Sequence, residues 1–455
     1  MAIPGYDRQR FAAQLNAVVS PAQPIHSIEH LFGRTSELDR IEKALFAPGR
    51  HVFIYGDRGV GKSSLAATAA NLYQSSDADY IDVSCSPDAT FSGVIANVAF
   101  QALNASRLTR TQTRDTAGVR LRYLNLERAS ETSLQDLYTE IHNLIDAVEV
   151  LREVAAIHSQ SPIVVVDEFD RMASAQERAK FADLLKHLGD KRIPLKFIFT
   201  GIAKTLDELL GAHQSAIRQL ETIELPKLNW NARWNILLDA ARAFSINVDR
   251  NLYVRVAAVS DGYPYYVHLI TEKILWRVFE DPQETDAITW EHYHAALQDA
   301  IHSISAELKR PYEMAIMQRS GDYEEVLWST ADSEWLQRYL KDMYSSYLYI
   351  MRQGTKTPLD YEKYSSRIRN LRKPACGSIL VSENKQGLYS YREKMLRGYV
   401  RMQAEAHGIE LIGEQSAPSE KQVMRVPARA SSGYFQSTIP PGVHFDRQRK
   451  HDGKE

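Results

Sequence analysis

Gly56-Asp57-Arg58-Gly59-Val60-Gly61-Lys62-Ser63 is the stretch that decides the fold, because it fits the pattern Gly-x4-Gly-Lys-Ser/Thr. It follows an apolar run at 51–55 and precedes an Ala-rich, helix-compatible segment that begins at Ser64. A glycine-rich loop between a strand and a helix curls its backbone N–H groups around phosphate, at the positive end of the helix. Lys62 adds a positive charge, and the Ser63 hydroxyl can reach Mg²⁺. The stretch therefore predicts a binding site for a nucleotide and its Mg²⁺.

A second part of the predicted nucleotide site lies downstream and is acidic: Ile163-Val164-Val165-Val166-Asp167-Glu168. Four apolar residues in succession are typical of a strand buried on both faces of a parallel sheet. Next to a phosphate-binding loop, Asp167 is expected to hold the Mg²⁺ shell and Glu168 to orient the attacking water. Taken alone, the same pattern also fits a buried strand that ends in a solvated acidic turn. Together with the loop at Gly56, it favours hydrolysis as well as binding.

Further strands are predicted at 80–85, 195–200 and 222–225, with helical stretches between them. Strands that alternate with helices indicate an α/β fold with a parallel sheet. Ligands of such sheets bind at the carboxyl ends of the strands, where Gly56, Asp167 and Thr200 all fall. The predicted fold class is therefore α/β, with a P-loop parallel sheet.

The composition of the chain limits its number of domains, its partners and its cellular compartment. The chain has 455 residues, enough for about three domains. It carries 55 Lys and Arg against 57 Asp and Glu, so whole-chain charge argues neither for nor against nucleic acid. Two cysteines, Cys85 and Cys376, favour a reducing compartment without a disulfide framework. Charged residues within the first 14 positions do not fit a signal peptide, and no apolar run approaches 18 residues. We expect a cytoplasmic protein with no membrane partner.

Five segments together resemble one superfamily. They are the Leu-Phe-Gly-Arg-Thr-Ser-Glu-Leu run at 31–38, the loop at Gly56, the Asp167-Glu168 strand, Phe-Ile-Phe-Thr-Gly at 197–201, and Asp-Gly-Tyr-Pro at 261–264. Over about residues 25–405 the chain resembles the AAA+ and related STAND ATPases, and most of all the origin-recognition-like ATPases with a C-terminal winged helix. The resemblance implies an ATPase that hydrolyses ATP with Mg²⁺ and assembles as a homo-oligomer.

The resemblance also implies roles for individual residues. The segment with Phe32, Gly33 and Arg34 matches the lining of the adenine pocket, and Thr200 matches the polar sensor that reads the γ-phosphate. The phosphate loop runs from Gly56 through Asp57, Arg58, Gly59, Val60, Gly61, Lys62 and Ser63 to Ser64.

Arg218 lies where these families have an arginine that reaches the neighbouring subunit's nucleotide, although it also fits a surface arginine that caps a helix. Where many relatives have a sensor arginine in the lid, this chain has Pro264 and, one turn later, His268. His268 is predicted either to contact the nucleotide or to be a packed helix residue.

The chain divides into five predicted segments: an N-terminal segment at 1–24, an ATPase core at 25–228, a helical lid at 229–305, a winged-helix domain at 306–410 and a disordered tail at 411–455. A basic insertion interrupts the core near 104–130, where six arginines stand against two acidic residues. Such an insertion fits either a contact with DNA or protein in the channel of a ring, or a solvated surface loop.

The segment 352–401 carries twelve Lys and Arg against four Asp and Glu, a net charge of +8. A helix that ends before Pro374 and a hairpin at 378–391 follow each other in the order of a winged helix. A basic helix face beside a wing suits docking to DNA. However, STAND proteins use similar winged domains for protein packing. The candidate DNA-binding residues are Lys363, Arg367, Arg369, Lys373 and Lys385.

Two hypotheses of function remain. In the first, an ATP-bound oligomer grips double-stranded DNA and recruits or regulates a partner enzyme. In the second, ATP drives the assembly of a protein-interaction switch, such as the ATPase subunit of a bacterial defence system, without direct DNA contact. No nuclease, protease or helicase motif is evident in the sequence. Both hypotheses therefore include a separate effector or client protein.

Overall fold

The computed structural model describes residues 3, 5–75, 78–108, 123–124, 133–212, 218–317, 321–354, 356–382 and 387–412. The predicted basic insertion near 104–130, Lys385 of the wing and the tail beyond residue 412 lie wholly or largely outside these ranges. Within the described residues, no helix is both long enough and apolar enough to cross a membrane.

Five parallel strands form the first sheet, in the order β2-β3-β4-β1-β5. The strands are β1 (His51–Tyr55), β2 (Ile81–Ser84), β3 (Ile163–Asp167), β4 (Lys196–Gly201) and β5 (Leu220–Glu224). Each lies within two residues of the strand expected from its apolar run, so the α/β fold class is confirmed. Because all five strands are parallel, their carboxyl ends share one edge of the sheet.

Helices α1 to α8 belong to the sheet region. They are α1 (Arg8–Val18), α2 (Thr35–Phe46), α3 (Lys62–Tyr73), α4 (Phe91–Leu108), α5 (Leu134–Glu140), α6 (Leu144–Ile157), α7 (Ala175–Asp190) and α8 (Ala203–Ala212). Four more helices follow the sheet: α9 (Trp230–Arg242), α10 (Arg250–Val259), α11 (Pro264–Glu280) and α12 (Trp290–Ser303). These last four fall in the segment predicted to be a helical lid.

Both faces of the sheet are buried, because its residues alternate between two apolar cores. On β1, Val52 and Ile54 join one core while Phe53 joins the other. Phe53 stacks on Phe199 of β4 in the second core. The first core runs without interruption from α1 through the lid helices to the end of the described chain. The sheet, the lid and the C-terminal region are therefore packed as one body.

The C-terminal region combines five helices with a small sheet. Its elements in chain order are α13 (Ala306–Ile316), α14 (Tyr323–Ala331), β6 (Gln337–Tyr339), α15 (Leu340–Gln353), α16 (Tyr361–Asn370), β7 (Leu380–Ser382), β8 (Leu388–Tyr391) and α17 (Leu396–Ala406). The strands are antiparallel in the order β6-β8-β7. The predicted helix followed by a hairpin is thus present as α16, β7 and β8. Its assignment to the winged-helix class stays a prediction.

A buried cluster of charges joins the lid to the C-terminal region. Asp261 is fully buried in the turn between α10 and α11, and it accepts hydrogen bonds from Arg397 of α17 at 2.7 and 2.6 Å. Lys227 and Arg401 lie 2.8 and 3.1 Å from the same carboxylate. Burial alone would raise the pKa of Asp261, but Arg397 and Arg401 bring it well below its usual range. The charges therefore fix the turn that leads into α11.

Candidate functional site

The glycine-rich loop turns between β1 and α3 through two left-handed glycines, Gly59 (φ +77°) and Gly61 (φ +94°). An L-residue with a side chain is strained in this conformation, which explains glycine at both positions. Val60, between them, is buried and anchors the loop to the core. The loop thus opens its backbone N–H groups toward the start of α3, where the helix dipole favours an anion.

Lys62 lies at the first position of α3 and points back into the loop. Its Nζ donates hydrogen bonds to the carbonyl oxygens of Gly56 (3.2 Å) and Asp57 (2.9 Å). Burial lowers the pKa of Lys62, and the negative charges of Asp170 and Asp167 oppose this shift. Among the described residues, this partly buried ammonium group donates to neutral carbonyl oxygens of the loop, which suits exchange for an incoming phosphate.

A hydrogen-bonded chain links the loop to the carboxyl ends of β3 and β4. The Ser63 hydroxyl donates to Asp167 Oδ1 over 3.0 Å, and the Thr200 hydroxyl donates to the same oxygen. Thr200 Oγ1 in turn accepts the backbone N–H of Glu168 at 3.0 Å. The structure therefore brings together Ser63, Asp167, Thr200 and Glu168, as expected from their place at the strand ends.

Glu168 leaves β3 in a left-handed conformation (φ +53°), which turns its side chain out of the sheet. Its Oε2 accepts a hydrogen bond of 2.7 Å from Arg171, and both side chains are about half exposed. This pairing was not foreseen from the sequence, although the spacing of three residues is short enough to suggest it. Glu168 is thus close to the site but held by its own arginine.

Asp170 is a further acidic residue that the sequence analysis left without a role. Its charge is the strongest of those that act on the Lys62 ammonium. The residue lies three positions after Asp167, beside Gly201 at the end of β4. The site therefore holds a third carboxylate near the phosphate loop.

Mg²⁺ fits this donor set. The Ser63 hydroxyl and the Asp167 carboxylate supply neighbouring oxygen atoms, the ligand type that Mg²⁺ prefers. Among the described residues, no group of three or more His, Cys, Asp or Glu side chains forms a separate metal cluster. Ser63 and Asp167 are thus the residues that would hold the ion.

The N-terminal arm, which we define as residues 19–33, runs along α3 behind the loop. The backbone N–H of Ile25 donates to Ser64 Oγ (3.1 Å), and its carbonyl accepts from Thr68 Oγ1 (2.8 Å). Arg34, just after the arm, is buried and donates to the carbonyls of Val60 (3.0 Å) and Pro226 (2.7 Å). Arg34 therefore braces the phosphate loop from behind. The role of Phe32, Gly33 and Arg34 in lining an adenine pocket stays a prediction.

The lid helix α11 begins directly beside the loop. A Cβ atom added at Gly61 would lie 3.6 Å from Pro264, the first residue of α11. One turn later His268 is buried, and its Nδ1 accepts the backbone N–H of Ser20 at 3.4 Å. Both predicted lid residues thus face the region between the loop and the N-terminal arm.

Three residues that the sequence analysis did not single out touch the outer part of the loop. Lys394 Nζ lies 2.6 Å from Asp57 Oδ1, and the Met395 side chain packs against Gly59. Arg58 pairs with Glu307 at 3.3 Å. Since Lys394 is 337 positions from Asp57, no local pattern could have revealed the contact.

Arg218 is exposed and lies before β5, at the amino end of the strands. Five residues of strand separate the two edges of the sheet by roughly 16 Å. Arg218 is therefore on the opposite edge from Lys62 of the same chain.

The basic residues of α16 and of the turn that follows it differ in their surroundings. Arg367 is paired with Asp322 at 2.9 Å, and Lys363 with Asp360 at 3.0 Å. Arg369 and Lys373 are exposed and make no ion pair with another described residue.

The fold and the loop geometry define a P-loop nucleotide-binding protein. Residues 30–198 match the family model described as the AAA ATPase domain. The resemblance to AAA+ ATPases is thereby confirmed for the region that carries the phosphate loop.

No curated protein matches the chain. Among solved structures, it is similar to the Walker-type ATPase PABY2304 of Pyrococcus abyssi, with 16% identity over 84% of this chain and 99% of that chain and a TM-score of 0.48. It is also similar to Cdc6p from Pyrobaculum aerophilum (16% identity, 86% and 98% covered, TM-score 0.42). A third similar structure is the ORC1 protein of Aeropyrum pernix in complex with DNA (15% identity, 82% and 93% covered, TM-score 0.41).

Proposed function

We propose that this protein binds ATP with Mg²⁺ and hydrolyses it to ADP and phosphate. The observation that carries the proposal is the hydrogen-bonded chain from Ser63 through Asp167 and Thr200 to Glu168, next to the phosphate loop. Binding alone would need only the loop and Lys62. A carboxylate beside the metal-binding pair, held at the sheet edge where the γ-phosphate would lie, supports hydrolysis.

Each residue has a role in the proposed reaction. Backbone N–H groups of the loop and the Lys62 ammonium stabilise negative charge on the β- and γ-phosphates. Glu168 orients a water molecule, whose oxygen bonds to the γ-phosphorus as the bond between that phosphorus and the β–γ bridging oxygen breaks. ADP leaves, and the proton lost by the water passes to Glu168 or to the released phosphate. Bound Mg²⁺, held by Ser63 and Asp167, supplies further charge neutralisation. Glu168 can act only when its side chain turns from Arg171 toward the phosphate.

Substitution of Lys62 tests ATP binding. We expect Lys62→Ala to weaken ATP binding at least 100-fold in titration calorimetry, because the main cationic partner of the phosphates is lost. Lys43→Ala, which removes an exposed lysine from α2, is the matched control and should bind as the wild type does. Equal affinity of Lys62→Ala and the wild type would reject the phosphate site.

The proposal also includes contact with double-stranded DNA. Two exposed cations near the end of α16, Arg369 and Lys373, are free to meet phosphate, whereas Arg367 and Lys363 are already paired. If several phosphates are contacted, affinity for double-stranded DNA should fall by orders of magnitude from about 50 to 200 mM salt. The double variant R369E/K373E should lose most of this binding. No binding by the wild type at low salt with ATP present would reject DNA contact.

A protein switch without DNA contact is the second candidate, and the contact of Lys394 and Met395 with the loop favours it. In this proposal, nucleotide binding and the position of the C-terminal region are coupled. Nucleotide binding shifts the C-terminal region, and a change that moves the C-terminal region alters the affinity for nucleotide. An effector protein would then recognise the rearranged C-terminal region.

Charge reversal at Lys394 tests this coupling. K394E faces Asp57 with a like charge and adds a negative charge beside the phosphate loop, so ATP affinity should fall about fivefold, the equivalent of about 1 kcal/mol for a partly exposed ion pair. K373E makes the same charge change on the C-terminal region away from the loop and should leave ATP affinity unchanged. An unchanged affinity in K394E would exclude coupling through this contact.

A further inference from the structure

The small antiparallel sheet of the C-terminal region has an open edge at β6. Its strand order is β6-β8-β7, so among the described residues β6 has a strand on one side only. The backbone N–H of Leu340, just after β6, donates to the carbonyl of Gly387 at 2.9 Å, which fixes the register. In an antiparallel pair, alternate residues turn their backbone groups toward the partner strand. Arg338 therefore bonds to Tyr389 of β8, while the backbone N–H and carbonyl of Gln337 point to the open edge.

The side chains along this strand form an exposed aromatic surface. Exposure alternates from residue 335 to residue 339, as expected when successive side chains point to opposite faces. The exposed members are Trp335, Gln337 and Tyr339, and we call these three residues the β6 edge. Trp335 is 52% exposed and Tyr339 is 42% exposed. The β6 edge thus combines unpaired backbone groups with two large aromatic side chains on one face.

The backbone that leads into β6 is held by two arginines of α17. Arg401 donates to the carbonyls of Ala331 (3.0 Å) and Ser333 (2.6 Å). Arg397 donates to the carbonyl of Trp335. Both arginines are buried, and hydrogen bonds from a charged donor are stronger than neutral ones. The aromatic surface is therefore presented on a fixed backbone, which lowers the entropic cost of binding a partner.

The size of the β6 edge favours a short peptide over a second copy of this chain. An aromatic side chain buries 150–250 Å², so two that are about half exposed offer roughly 200 Å². A stable protein–protein interface buries about 800 Å² on each partner. An extended peptide needs less area, because it adds to an open strand through main-chain hydrogen bonds.

A positive charge lies at one end of the β6 edge. Gln337 is opposite Ser390, so the carboxyl end of β8 is at the Trp335 end of β6. Arg392 follows β8 directly, is exposed, and makes no ion pair with another described residue. An acidic side chain would complement this arginine.

We propose that the β6 edge docks an extended peptide segment of a partner protein, which becomes a fourth strand of the small sheet. The peptide backbone bonds to Gln337, and its apolar side chains at alternate positions pack on Trp335 and Tyr339. An acidic residue of the peptide pairs with Arg392. Main-chain pairing supplies affinity, and the alternate side chains supply specificity. The surface contains no residue of the nucleotide site, so the inference goes beyond the proposed ATP hydrolysis and does not rest on it.

Peptides selected from a random linear library on the full-length chain are the probe, and fluorescence anisotropy measures their affinity. Gln337→Pro removes the N–H at the open edge and leaves the hydrogen bonds to β8 intact. It should weaken binding of a selected peptide about tenfold or more, because a main-chain bond is lost and the proline ring blocks pairing. Gln337→Ala keeps the N–H and should bind within threefold of the wild type. If no selected peptide distinguishes these two variants, the inference is overturned.

Two further variants test the aromatic contacts. Trp335→Ala and Tyr339→Ala should each weaken the same peptide about tenfold, since aromatic side chains dominate binding at such surfaces. Trp290→Ala removes a comparably exposed tryptophan from α12 and should bind as the wild type does. Wild-type affinity in both Trp335→Ala and Tyr339→Ala would place the peptide elsewhere and overturn the inference.

The test does not depend on the folding of one variant. If Gln337→Pro fails to fold, as judged by its thermal unfolding, N-methylation of single backbone amides in the selected peptide decides on the wild-type protein. Methylation of an amide that pairs with β6 should abolish binding. Unchanged affinity for every methylated peptide would mean that no strand is added, and it would overturn the inference.

Two other occupants would give different results. Self-association in sedimentation velocity that Gln337→Pro abolishes would assign the β6 edge to a second copy of the chain. Binding of single-stranded oligothymidylate that Trp335→Ala abolishes would assign it to nucleic acid. Either result, without a peptide that meets the tests above, overturns the inference. ATP affinity should be equal in Gln337→Pro and the wild type, so failure of peptide docking leaves the proposed ATP site standing, and the reverse also holds.

Discussion

Thr200 is the residue on which the arrangement of the site depends. Its hydroxyl donates to Asp167 and accepts from the backbone of Glu168, so one side chain sets the position of both acidic residues. Ser63 approaches the same Asp167 oxygen from the phosphate loop. A change at Thr200 should therefore act on hydrolysis more than on ATP binding.

Removal of the Thr200 hydroxyl tests this role. In Thr200→Val the Glu168 N–H loses its acceptor and Asp167 loses a donor at nearly constant side-chain volume. We expect kcat for ATP hydrolysis to fall by about 100-fold, the usual cost of one positioned polar group, while ATP affinity stays within threefold. Thr200→Ser keeps the hydroxyl and should retain most activity. Equal loss in both variants would indicate a packing effect instead.

Arg171 is expected to restrain Glu168. Loss of the arginine in Arg171→Ala frees the carboxylate, and basal kcat should rise by up to about fivefold, since an exposed ion pair is worth at most about 1 kcal/mol. Arg152→Ala breaks a comparable exposed pair on α6 with Glu149 and serves as the control. Steady-state ATP turnover measures both. A lower kcat in Arg171→Ala would mean that Arg171 assists the reaction.

At the level of elements, the inner strand β1, which lies between β4 and β5, leads directly into the phosphate loop. His51 begins this strand, is fully buried, and accepts the backbone N–H of Phe197 on β4 at its Nδ1 (3.0 Å). Burial, together with the nearby charge of Lys196, lowers the pKa of His51 to about 3. His51 is therefore neutral in the folded chain over a range of pH where it is charged in the unfolded chain.

This difference predicts a loss of stability in acid. Because the folded pKa is lower than the unfolded value of 6.5, the unfolded chain binds more protons between pH 6.5 and 3, and stability falls as pH falls through that window. His51→Asn keeps an acceptor for Phe197 but does not titrate. From pH 7 to pH 5 the free energy of unfolding should drop by about 2 kcal/mol more in the wild type than in the variant. Parallel denaturant titrations that show identical drops would contradict this assignment.

The elements near the site were largely predictable from sequence, because they depend on local patterns. The Gly-rich loop, the β-branched run before Asp167 and the helix with Tyr364 and Ile368 on its buried face each carry their own signal. Contacts between distant segments carry none. Ser20 meets His268 across 248 positions, and Asp57 meets Lys394 across 337. The tertiary packing alone decides these pairs.

At the scale of the whole molecule, one apolar core joins the sheet, the lid and the C-terminal region. The phosphate loop is contacted from behind by Arg34 and from outside by Lys394 and Met395. Arg218 lies at the far edge of the sheet, which favours a role at the nucleotide of a neighbouring subunit. We propose that Arg218 of a neighbouring subunit completes the site.

Mixed oligomers test whether a neighbouring subunit completes the nucleotide site. Neither Arg218→Ala nor Glu168→Gln should hydrolyse ATP alone, but a mixture should regain activity, because the Glu168→Gln subunit supplies Arg218 to the intact Glu168 of its neighbour. The matched control mixes Arg218→Ala with the double variant R218A/E168Q and should stay inactive. Lack of rescue in mixtures shown to co-assemble would place Arg218 outside the reaction.

The central claim is that the chain hydrolyses ATP through Glu168. The most direct measurement is phosphate release from ATP by the wild type and Glu168→Gln, with ATP affinity measured on the same preparations. We predict measurable turnover in the wild type, a loss of at least 100-fold in Glu168→Gln, and ATP affinity within threefold of the wild type, since the phosphate loop is unchanged. Hydrolysis by Glu168→Gln at the wild-type rate, or no ATP binding by the wild type, would contradict the claim.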